Sequence, residues 1–146
     1  MTVVAEILKS KPDAAVHSIA PSASVLDALK SMAQLRIGAL LVMEGKDIVG
    51  ILTERDYARK IALMGRTSLT TLVSDVMTTA VMYVQPTQSS EECMALMTQN
   101  RLRHLPVVDD GMVIGMISIG DLVKDIISEQ QFIIEQTKHY ISGGGR

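Results

Sequence analysis

A single cysteine, Cys93, leaves this 146-residue chain without the means for an internal disulfide or a cysteine-rich zinc site. It sits in a helical pattern with Met94 and Met97, which points to core packing. Aromatic residues are scarce, with three Tyr, one Phe and no Trp, so nucleic-acid bases have little to stack on. There is no surplus of positive charge either. Fourteen Lys and Arg stand against 16 Asp and Glu, a formal net charge of −2, and this withholds the basic footprint of a nucleic-acid binder. No apolar run approaches the roughly 18 residues of a membrane span. The start Met1-Thr-Val-Val-Ala-Glu lacks the basic flank and long apolar stretch of a secretion signal. The expectation is a cytoplasmic protein without a membrane partner. His17, His104 and His139 show no metal-ligand spacing, and no H-E-x-x-H, G-x-S-x-G or P-loop is present, so neither a metal nor an enzyme is expected.

What the chain does have is apolar material and internal repetition. Hydrophobic residues make up 47% of it, enough to core one domain or two small ones. A shift of 65 residues (86 minus 21) pairs Pro21 with Pro86. The same shift pairs Val16 with Val81, Ser24 with Ser89, Met32 with Met97, Arg36 with Arg101, Leu40 with Leu105, Gly50 with Gly115 and Asp56 with Asp121, without a gap.

Each copy reads β-α-β-β-α. An extended lead (Val16 to Ile19; Val81 to Val84) precedes the proline. Ser24-x-x-Asp27 and Ser89-x-x-Glu92 then have the form of capping boxes opening a helix. Val25, Ala28, Leu29, Met32 and Ala33 share one face of the first helix, and Cys93, Met94 and Met97 one face of its counterpart. Two apolar strands follow in each copy, around turns at Gly45-Lys46-Asp47 and Asp109-Asp110-Gly111. A second helix opens after Thr53 or Ser118. The lead-ins Val4-Ala-Glu-Ile-Leu8 and Val73-Ser-Asp-Val-Met77 are alike, but the first is followed by extra residues that include Lys11 and Pro12. This divides the chain into a first repeat with its lead-in (1–68), a second repeat (69–128) and a helical extension with a frayed tail at Gly143–Arg146 (129–146). Ile133, Ile134, Thr137 and Ile141 form a partial apolar stripe on the extension, suited to a partner subunit or to the repeat's own core.

The pattern resembles a tandem pair of cystathionine-β-synthase (CBS) domains, a Bateman module. Ile48-Val-Gly-Ile-Leu-Thr-Glu-Arg-Asp56 carries the resemblance in the first copy. Arg103-His-Leu-Pro-Val-Val and Ile114-Gly-Met-Ile-Ser-Ile-Gly-Asp121 carry it in the second, with Asp75-Val-Met-Thr78 as a lead-in. The match covers about residues 2–128. It implies an α/β fold of two repeats packed sheet to sheet as a pseudo-twofold pair, in a flat homodimer. It also implies a regulatory role: sensing an adenine-containing ligand (AMP, ADP, ATP, NAD(H) or S-adenosylmethionine) in a cleft between the repeats and passing the state to an effector protein.

Thr53-x-x-Asp56 and Ser118-x-x-Asp121 are the central candidates. A capping box alone accounts for their spacing. A ligand adds a second use. The free N–H groups of a helix start suit phosphate, and an ionised carboxylate, which only accepts, suits a ribose diol. The resemblance implies that second use. Arg103 offers a planar fork of donors for phosphate, and His104 is expected to assist, better so when protonated near or below its reference pKa of about 6.5. The alternative for this pair is a solvated Arg and a packed His. The matching positions Gly38 and Ala39 leave room for an adenine ring or a second phosphate, so the two sites are expected to be inequivalent. Gly50 and Gly115, inside strands, mark a close approach by a ligand or by packed chain. His17, Lys11, Thr78 and Met82, in or near the lead-ins, are candidate pocket walls, because the resemblance implies that residues of one copy serve the Asp of the other. A ligand-free structural or interaction module is the second reading.

Overall fold

The computed structural model describes residues 2–13 and 15–144, with side chains up to Lys138. The side chain of Ile141, and Gly145 and Arg146 of the expected tail, lie outside the described residues. Both repeats begin their helices with a serine cap. α2 (Val25–Leu35) opens on Ser24, whose Oγ accepts from the Asp27 N–H at 3.1 Å. α5 (Ser90–Asn100) opens on Ser89, which accepts from the Glu92 N–H at the same distance. In this respect the expected boxes are half formed: the serine side chain caps the helix, while Asp27 and Glu92 do not reach back to the cap amide. Both helices end on an arginine in left-handed conformation, Arg36 (φ 57°) and Arg101 (φ 54°). Each closes a C-terminal turn that satisfies the last carbonyls.

The first sheet has the order β1-β2-β3, with β1 (Ser18–Ile19) parallel to β2 (Ala39–Glu44) and β2 antiparallel to β3 (Asp47–Thr53). The second pairs β4 (His104–Asp109) with β5 (Met112–Ser118). Between them Asp110 (φ 52°) and Gly111 (φ 76°) take the two left-handed conformations of a type I′ turn, which suits the twist of a hairpin. The expected leading strand of the second repeat shrinks to one bridge, Val84 to Val107. The Val81 amide is spent locally on the Thr79 carbonyl, which removes it from any ladder.

The first sheet is followed by α3 (Glu54–Asp56), which runs into a π-helical stretch over Tyr57–Ala62, where a regular α-helix was expected. Its wider winding shows in the Leu63 amide bonding the Ala58 carbonyl, five residues back. The second sheet is followed by a long regular helix, α6 (Ile119–Gly144).

The chain clusters into two compact units that cross the sequence order. One holds Met1–Ala14, Val84–Asp109 and Gly115–Arg146; the other holds Ala15–Tyr83 and Asp110–Ile114. The lead-in helix α1 (Val4–Ser10) therefore belongs with the second repeat, while α4 (Val73–Val76) belongs with the first. The same backbone bonds recur in each unit. Val25 N–H donates to the Thr71 carbonyl and Val73 N–H to the Ala23 carbonyl; Ser90 N–H donates to the Thr2 carbonyl and Val4 N–H to the Gln88 carbonyl. Val25, Ala28, Met32, Leu40, Val42, Leu52, Ile61, Val73 and Val76 form the core of one unit. Val4, Ile7, Cys93, Met97, Leu105, Val107, Ile117 and Leu122 are buried in the other.

The two strand glycines make room for the lead-ins. A Cβ on Gly50 would lie 2.6 Å from Met77 Sδ and 3.0 Å from the Thr78 carbonyl oxygen; one on Gly115 would lie 2.8 Å from a Leu8 methyl. The close approach foreseen for these strands is made by the chain itself, and it draws the residues after each lead-in helix toward the end of the neighbouring strand.

Candidate functional site

β3 and β5 each end on a hydroxyl residue that caps the next helix, and each cap is answered by an aspartate three residues on. In the first repeat Asp56 Oδ2 accepts from the Thr53 N–H at 3.0 Å, and Thr53 Oγ1 accepts from the Asp56 N–H at 3.2 Å. In the second, Asp121 Oδ2 accepts from the Ser118 N–H at 2.9 Å, and Ser118 Oγ accepts from the Asp121 N–H at 3.2 Å. Both are complete capping boxes. The backbone closes each mouth in the same way: Glu54 N–H donates to the Gly38 carbonyl, and Ile119 N–H donates to the Arg103 carbonyl. Gly38 and Arg103 thus sit at equivalent places beside the helix starts. Ala39 is buried and pairs with Thr53 across the sheet.

The equivalence stops at the carboxylates. Asp56 is only 7% exposed, and both its oxygens are engaged by its own unit. Oδ1 accepts from the Thr78 hydroxyl at 3.1 Å and pairs with Lys60 Nζ at 3.2 Å, and Oδ2 also accepts from the Thr53 hydroxyl at 3.2 Å. Asp121 is partly open. Its Oδ2 pairs with Lys11 Nζ at 2.9 Å, and Lys11 also donates to the Met116 carbonyl at 2.7 Å. Among the described residues, nothing bonds Asp121 Oδ1.

The structure thus brings Thr53, Asp56 and Thr78 together at one mouth and Lys11, Ser118 and Asp121 at the other. Thr78 and Lys11, each following a lead-in helix, reach the aspartate of a repeat that is not contiguous with their own lead-in in the expected division. Lys60 was missed by the sequence reading; its position four residues after Asp56 on a helix was the available signal. Half-buried His17 supplies its carbonyl to the Leu41 N–H, and half-buried Met82 is not a partner of either carboxylate. Arg103 is exposed at the second mouth and half-buried His104 begins β4 beside it.

Burial pushes the His104 imidazole below its ordinary value of 6.5. Asp121 opposes that shift, while Lys11 and Arg103 add to it, so these four groups share one electrostatic environment. Below pH 6.5 the unfolded chain then binds more protons than the folded one, and stability falls as the pH drops. Urea midpoints should decline from pH 7 to pH 5, and the decline should be smaller in His104→Gln. An equal decline in both proteins would assign the acid sensitivity elsewhere. Burial also pushes the Cys93 thiol up, aided by Glu92, in keeping with an inert core residue. Among the described residues no three His, Cys, Asp or Glu come together to hold a metal. No helix among them is long and apolar enough to cross a membrane.

The CBS-domain family model matches residues 4–63 and 73–128. The chain belongs to the CBS-domain family. A mitochondrial CBS domain-containing protein of Arabidopsis thaliana, CBSX3, is 41% identical over 98% of this chain and 73% of its own. A CBS-domain protein from Burkholderia ambifaria MC40-6, for which a signal-transduction role has been suggested, is 56% identical, with a TM-score of 0.86 over 88% of this chain and 96% of its own. The CBS domain pair of protein MJ0100, solved with 5′-methylthioadenosine and S-adenosyl-L-methionine, is 25% identical, with a TM-score of 0.74 over 88% of this chain and 98% of its own. The mixed α/β fold is therefore that of a CBS domain pair.

Proposed function

We propose that this CBS pair is a regulatory module that binds one adenine-containing ligand at the mouth of α6 and passes its state to an effector protein. The observation that carries this reading is the contrast between the two aspartates. Asp56 has both oxygens occupied by Thr53, Thr78 and Lys60, whereas Asp121 keeps Oδ1 unbonded among the described residues, with side chains 10% and 16% exposed respectively. In this reading Asp121 receives the ribose diol. The Ile119 and Asp121 amides are taken by the Arg103 carbonyl and by Ser118 Oγ, so Ser118 meets phosphate or ribose oxygen with its hydroxyl, and Arg103 binds phosphate with His104 beside it as a neutral donor. The adenine ligands of the MJ0100 pair support the ligand class. No catalytic step is assigned to these residues. Exposed Ile119, Val123, Ile127, Ile133 and Ile134 along α6 are the surface we assign to a homodimer contact or to the effector. For the compartment we keep the cytoplasm as the proposal, although the Arabidopsis relative is mitochondrial.

Titration calorimetry with AMP, ADP, ATP, NAD(H) and S-adenosylmethionine tests the reading, with thermal unfolding alongside. One site per chain is expected for at least one of these compounds. At 100 times Kd that ligand should add about 2.7 kcal/mol and raise the unfolding midpoint by a few degrees. The absence of binding by every compound would favour the second reading, a structural or interaction module. The two complete capping boxes support that second reading, because they give both aspartates a use without a ligand.

A further inference from the structure

Each aspartate at a helix mouth has a lysine counter-ion, but the two lysines come from different places. Lys60 lies on the same helix as Asp56, donates to the Val76 carbonyl at 2.9 Å and is 41% exposed. Lys11 comes from the segment after α1, and its side chain is only 23% exposed against Asp121. Two of the three donors of its ammonium have partners, Asp121 and the Met116 carbonyl. A ligand that takes Asp121 with its hydroxyls must share that carboxylate with a half-buried cation. If the ligand carries phosphate, it gives Lys11 a second anion to bond. An uncharged nucleoside weakens the existing pair and offers nothing in return. A cationic sulfonium adds a positive charge to a mouth that already holds Lys11 and Arg103 against a single carboxylate.

From this arrangement we infer that Lys11 is a specificity-determining residue, which makes the α6 mouth select phosphorylated adenine ligands over uncharged or cationic ones. The inference rests on the ligand reading above and adds to it the charge class of the ligand. It also separates the two repeats: at the first mouth the residue reaching Asp56 from beyond a lead-in helix is Thr78, a neutral donor, and the lysine there, Lys60, lies on the helix of Asp56 itself.

The test is calorimetry on the full chain with AMP, adenosine and S-adenosylmethionine. The wild type should bind AMP at least about tenfold more tightly than adenosine or S-adenosylmethionine, a difference of about 1.4 kcal/mol. Lys11→Met should lose about tenfold for AMP and change less than about twofold for adenosine, so that the gap closes. Lys11→Arg should keep most of it, and the wild-type gap should narrow as NaCl is raised. Far-ultraviolet circular dichroism checks that each variant is folded, and a misfolded Lys11→Met would leave the Arg variant and the salt series to decide. Equal losses for AMP and adenosine, or a gap insensitive to both substitution and salt, would overturn the inference by making Lys11 a structural tie. A wild type that binds none of the compounds would instead overturn the ligand reading, and this inference with it.

Discussion

Asp56→Ala is expected to lower the free energy of unfolding by about 2–4 kcal/mol, the range for removing a buried, multiply bonded carboxylate. Four donors converge on this side chain: the Thr53 amide and hydroxyl, the Thr78 hydroxyl and Lys60 Nζ. Truncation to alanine leaves the Thr53 amide without its acceptor at the start of α3 and unties Thr78 from the first mouth. The Lys60 ammonium contributes less than the neutral donors, because at 41% exposure water can replace its partner. Asp56→Asn keeps the volume but presents an amide N–H₂ toward other donors, so it should recover only part of the loss. Asp121→Ala removes fewer bonds at a more open site, and about 1–2 kcal/mol is expected. Urea denaturation of the three variants measures all of this. A loss below about 1 kcal/mol for Asp56→Ala would mean that water takes the place of the carboxylate at little cost.

The second large effect concerns binding rather than folding. Asp121→Asn should weaken the adenine ligand by about 100-fold, or about 2.7 kcal/mol, because the diol would lose charge-assisted bonds to a carboxylate. The amide oxygen can still accept from the Ser118 N–H, so the cap at α6 persists and the unliganded protein should lose less than about 1 kcal/mol. The two measurements separate the two uses of one residue. A drop in unliganded stability with unchanged affinity would make Asp121 a cap and nothing more.

Much of the local structure was legible in the residues. Ser24, Ser89, Thr53 and Ser118 announced four helix starts, because an N-cap depends only on a side chain and the amides three residues beyond it. Cys93 and Met97 declared a buried face by helical spacing, and Gly50 and Gly115 declared close approaches. What approaches those glycines was not legible: Met77 and Leu8 arrive from lead-in helices far away in sequence. The leading strand at Val81 failed for a local reason, a carbonyl at Thr79 that captured its amide. The π-helical winding of Tyr57–Ala62 also left no mark in the apolar pattern.

The sequence by itself determined the duplication, the α-β-β-α run shared by the two repeats and the hydroxyl–aspartate pair at each helix mouth, since all of these follow from periodicity and neighbours within one helical turn. Only the tertiary structure decided which donor reaches which carboxylate, and therefore that Asp56 has both oxygens engaged while nothing among the described residues bonds Asp121 Oδ1. Those partners, Thr78 and Lys11, lie 22 and about 110 residues from the carboxylates they touch. Meetings at that distance are set by the path of the folded chain, which no local spacing records.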